Sequence, residues 1–127
     1  MQNLELKVIE TKELLKLTKD NDPSTIQVTA IRVIGFYKHL RSQDRRSSKK
    51  ELLMLIGDHK GNPSYILRQA RKGAGAMGIK AFSTYDGIIK DAQRVGIRYF
   101  SVDTKLCMTI DELLSALGVE SFDDLEV

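Results

Sequence analysis

The stretch from Ser47 to Lys72, SSKKELLMLIGDHKGNPSYILRQARK, constrains the fold most, because it holds two helix-start signals in succession. Ser48 and Glu51 have the S-x-x-E spacing in which each side chain takes up one free backbone N–H of a first helical turn. Leu52, Leu53, Leu55 and Ile56 then continue an apolar face, and Gly57 offers a stop. Asn62-Pro63 repeats the signal: a capping Asn, then a proline at a first helical position that needs no N–H. The second helix, from Ser64 to about Lys72, sets Ile66, Leu67, Ala70 and Gly73 on an inward stripe. Ser64, Tyr65, Arg68, Gln69, Arg71 and Lys72 are left outward. A basic helical pair over 47–72 is the expectation.

The remaining chain is read around that pair. Residues 3–9 alternate like a half-buried strand, and Thr11 caps a helix through Leu14, Leu15 and Leu17; one helix over 4–18 is the competing reading. Asp22-Pro23 starts a helix over 23–41 with Ile26, Ala30, Val33, Ile34, Tyr37 and Leu40 on one face. Its many β-branched residues leave a strand over 25–34 as the alternative. A helix apolar nearly all round belongs in the core or against a partner, so 23–41 is the candidate homodimer interface. Residues 41–48 read as a polar connector. A strand–helix–strand unit follows over 79–102: Ile79–Phe82, a helix over Tyr85–Arg94 capped by Ser83 or Thr84 and ended by Gly96, and the strand 97–102. Thr109 and Glu112 form another capping box, opening a helix that closes at Gly118.

Together these elements predict a single α+β domain, helix-rich, with a small two- or three-stranded sheet. At 127 residues and 42% hydrophobic content, one domain has enough apolar surface for a core without disulfides or metals. The lone Cys107 points to a reducing, cytoplasmic setting and to a small buried side chain. No leader pattern or membrane-length apolar run is visible.

The charge is unevenly spread. Residues 1–37 balance, residues 73–127 carry a net −4, and residues 38–72 carry ten bases against Asp44, Glu51 and Asp58, a net of +7. Such asymmetry points to a polyanionic partner. A first helix crossing the backbone and a second entering the major groove would form a helix–turn–helix-like surface. The residues suited to bases and phosphates are Arg45, Arg46, Lys49, Lys50, Lys60, Ser64, Tyr65, Arg68, Gln69, Arg71 and Lys72. The expected function is therefore non-catalytic, regulatory nucleic-acid binding, to DNA or RNA, without cofactor or metal. A protein-interaction module without nucleic-acid contact is the alternative.

Other motifs carry less. Gly73-Ala-Gly75-Ala-Met-Gly78 matches G-x-G-x-x-G, but a helix precedes it and a strand follows, the reverse of the dinucleotide-binding context. Asp103 and Lys105, with Asp86 upstream, have the acid-x-lysine form of a metal-dependent nuclease, in which paired carboxylates hold Mg²⁺. His39 and His59 each lack a second ligand at zinc spacing. Tyr99 and Phe100 read as core. The acidic end, 120–127, is a candidate cover for the basic segment.

Overall fold

A central strand apolar on both faces dictates a layered fold, since each face needs its own covering helices. The computed structural model describes residues 5–20, 25–39, 50–58, 63–68 and 78–121. Among them the order is β1 (Lys7–Glu10), α1 (Thr11–Asp20), β2 (Ile26–Val33), a 3-10 turn (Phe36–His39), β3 (Leu52–Asp58), β4 (Pro63–Arg68), β5 (Ala81–Phe82), α2 (Tyr85–Arg94), β6 (Tyr99–Met108) and α3 (Ile110–Leu117).

The sheet is six-stranded and mixed, in the order β1-β4-β3-β2-β6, with β5 pairing β3 off this path. β1 runs parallel to β4 and β6 parallel to β2, whereas β3 is antiparallel to β2, β4 and β5. This corrects the expectation of a helix-rich domain with a two- or three-stranded sheet. The basic helical pair does not form either: Leu52–Asp58 and Pro63–Arg68 are antiparallel neighbours, with Leu55 opposite Ile66 and Ile56 opposite Tyr65. The helix expected over 23–41 is β2 followed by the short 3-10 turn.

Side-chain alternation shows why. Leu52, Met54 and Ile56 enter one core with Ile9, Leu14, Val28, Leu67, Ile88 and Ala92. Leu53 and Leu55 enter the other, with Leu6, Ile31, Val33, Phe36, Ile66, Leu113 and Ala116. α1 and α2 therefore cover one face of the sheet and α3 the other. Leu52 to Ile56 are all at most 2% exposed, and Leu53 is fully buried. A strand buried on both faces removes some 25 cal/mol from the folding free energy per Å² of apolar area covered, which outweighs a local capping signal of about 1 kcal/mol.

Elsewhere the sequence signals hold. The strand-then-helix reading of the N-terminus is the one observed, with Leu14 fully buried. Thr84 caps α2 by accepting the Gly87 N–H, and Gly96 beyond it sits at φ +88°. Thr109 and Glu112 exchange both bonds of the capping box, and Gly118 closes α3 in the left-handed conformation. The strands flanking α2 are not neighbours, however, because β5 pairs β3 and β6 pairs β2. β6 also runs six residues past the expected end at Val102. The start signals at Asp22-Pro23, Ser48 and Asn62 lie outside the described residues.

Candidate nucleic-acid interface

The sheet has a pronounced polarity. β1 ends at Glu10 opposite Arg68, the end of β4; β2 ends at Val33 opposite Met108, the end of β6; and Phe82, ending β5, faces Leu52, where β3 begins. The carboxyl ends of five strands thus gather at one end of the sheet, and α1, α2 and α3 all start there. In open α/β sheets this is the end at which ligands are held.

Two charged connections are rooted at the same end. The chain leaves the described residues at His39, beyond the exposed Lys38, and returns at the exposed Lys50 next to β3. It leaves again after Arg68, at the end of β4, and returns at Gly78, next to Ile79, which bridges back to Arg68. The first connection carries Arg41, Arg45, Arg46 and Lys49; the second carries Gln69, Arg71 and Lys72. Nine of the ten bases of 38–72 therefore either stand at this end or belong to connections anchored there. Arg45, Arg46, Lys49, Gln69, Arg71 and Lys72 themselves lie outside the described residues. So does Lys60, whose connection joins β3 to β4 at the opposite end.

The described members of the predicted set divide. Lys50 is exposed. Ser64 and Tyr65 lie in β4, not on a recognition helix, and Tyr65 packs against the α1–α2 core. Arg68 is half-buried, and its Nε is a buried donor without a partner among the described residues. An unpartnered buried donor of this kind costs about 1–3 kcal/mol.

Two other bases near this end are already engaged. Lys80 Nζ donates to Asp91 Oδ2 at 2.9 Å and lies 5.4 Å from the Phe82 ring centroid. Arg32 pairs with Glu51 at 3.4 Å, and the second Glu51 oxygen accepts the Gly35 N–H at 2.7 Å. That contact fixes the turn from β2 into the first basic connection; it is the role Glu51 plays in place of a helix cap. The three helix starts do not add an open anion site, because Glu13, Asp86, Asp111 and Glu112 occupy their first turns. Among the described residues, Lys38 and Lys50 are the exposed cations that flank the first connection.

The acid-x-lysine spacing has a local explanation. Asp103 and Lys105 fall inside β6, where Ala30 pairs Val102 and Arg32 pairs Cys107, so Ile31 alone stands opposite four residues. In this bulge Asp103 Oδ1 accepts the Lys105 backbone N–H at 2.9 Å, a local turn that accounts for the Asp-x-Lys spacing. Asp86 is exposed on α2. Among the described residues no three His, Cys, Asp or Glu side chains group as metal ligands.

Several further expectations change. Cys107 is exposed and Tyr99 is 50% exposed, because β6 is the outer strand of the sheet, whereas the half-buried Phe100 packs against the α1–α2 core as expected. The helix expected to form a dimer interface is a strand between β3 and β6 with core on both faces. Of the acidic end, Glu120 is exposed and residues 122–127 lie outside the described residues, as do 69–77 with most of the Gly-rich motif. Among the described residues no helix is long and apolar enough to cross a membrane.

No protein-family model, curated protein or solved structure matches this chain.

Proposed function

We propose that this protein is a non-catalytic nucleic-acid-binding or regulatory protein, contacting the phosphate backbone through the two basic connections and not through a recognition helix. The observation that carries the reading is topological. Connections 40–49 and 69–77, with six Arg and Lys between them, are rooted on neighbouring strands at the same end of one rigid sheet. Clustered positive charge favours a polyanionic partner, and side chains on connections positioned by a scaffold are common binding elements. Tyr65 lies in β4, outside both connections, and has no assigned contact in this reading. A cytoplasmic location suits an exposed, unpaired thiol at Cys107.

The test is fluorescence anisotropy of labelled duplex DNA, single-stranded DNA and RNA against the full chain at low salt. Saturable binding to at least one of the three is expected. No binding to any of them contradicts the proposal.

A further inference from the structure

A second positively charged site lies at the opposite end of the molecule, where α1 and α2 finish and β6 begins. There a groove of about 710 Å³ opens between the helices, within the size range of small-ligand sites. Three cations from separate elements line it: Lys19 from α1, Arg94 from α2, and Arg98 from the segment entering β6. No carboxylate is among the described residues that line it. Its wall is apolar, with Leu15, Val95 and the half-buried Phe100, and Leu15 is 46% exposed although apolar.

Helix-end electrostatics explains part of this arrangement. Lys19 and Arg94 stand in last turns, where a cation offsets the negative end of the helix dipole. Arg98 is on no helix, and its convergence with the other two is left over. Asp91 lies 3.9 Å from Arg94, but its closer partner is Lys80 at 2.9 Å, and the Arg94 side chain is 79% exposed. Arg94 is thus held loosely enough to turn toward an incoming anion. Separated cations beside an apolar, partly aromatic wall match an anion carrying a flat apolar body.

We propose that this groove binds a phosphate-bearing nucleotide unit, its base against Phe100 and Leu15 and its phosphates on Lys19, Arg94 and Arg98. The unit is either a free nucleotide or a residue of a single strand. The groove lies at the other end of the sheet from the roots of the basic connections, so amide shifts, which localise binding, distinguish it from the nucleic-acid reading above.

Amide NMR of the ¹⁵N-labelled full chain tests it, with titrations of ATP, a short oligothymidylate and inorganic phosphate. ATP, the oligothymidylate or both should shift the amides of Lys19, Arg94, Gly96, Arg98 and Phe100 saturably, and the more effective of the two identifies the source. Inorganic phosphate should bind at least about tenfold more weakly. Arg98→Glu combined with Lys19→Glu, both exposed, should lower affinity at least about tenfold while leaving the rest of the spectrum native. The proposal is overturned by no saturable shift with either nucleotide ligand, by shifts confined to residues outside the groove, or by phosphate binding as tightly as ATP. Unchanged affinity in the double variant overturns it too.

Discussion

Glu51 does more for this structure than its place in a capping pattern suggests. Its side chain is 14% exposed and holds two partners at once, the Gly35 N–H at 2.7 Å and the Arg32 guanidinium at 3.4 Å. Gly35 sits at φ +80°, with nothing within 4 Å of where a Cβ would be, so a substitution there meets backbone strain and no clash. Gly35→Ala should cost about 1 kcal/mol on that account. Glu51→Ala removes a charge-assisted acceptor and leaves the Gly35 amide dependent on solvent, for about 2 kcal/mol. Both changes act on one hydrogen bond, so the double variant should lose less than the sum of the two. Urea unfolding midpoints of the three variants measure this; additive losses would mean that the bond does not hold the turn. The sequence pattern marks Glu51 as a helix-capping acid, but a strand and not a helix follows it. The pattern does not show the partner, because Gly35 is sixteen residues away and reaches Glu51 only through the pairing of β2 with β3.

The elements that were legible are the ones with a wet face. α2 and α3 alternate polar and apolar residues at helical spacing and carry their own caps, so pattern and propensity agree. β3 has neither kind of contrast. Its five consecutive apolar residues serve two cores in turn, and a continuous apolar run does not distinguish a doubly buried strand from a buried helix. The β-branched residues of 25–34 carried the correct signal for β2, and burial on both faces decided it. β6 was cut short at Val102 because Asp103-Thr104-Lys105 is polar, as befits a bulge on an outer strand. Met54 separates the readings: the helical pattern leaves it off the apolar face, whereas in the strand it is 1% exposed. Met54→Ala should therefore destabilise by about 2–5 kcal/mol, read from thermal or urea unfolding. A loss under about 0.5 kcal/mol, the usual surface value, would speak against β3 as a central strand.

At the scale of the molecule, the chain builds a sheet that sends its helices off from one end and roots two basic connections at that same end. The candidate surface was legible in the sequence as charge, since the +7 of residues 38–72 is a property of composition. Its geometry was not, because the pairing of β3 with β4 that brings the connections together is a long-range choice made by the two cores. In the proposed function, both connections meet one polyanion together. This is tested most directly by the salt dependence of binding, measured by anisotropy for the wild-type chain and for a variant carrying Arg45→Ala, Arg46→Ala, Arg71→Ala and Lys72→Ala. With about five phosphates neutralised, wild-type affinity should fall several hundredfold between about 50 and 200 mM salt. The variant's logarithmic slope should be shallower by about one unit for each contact removed, drawing on both connections. A variant slope equal to that of the wild-type chain would contradict the account.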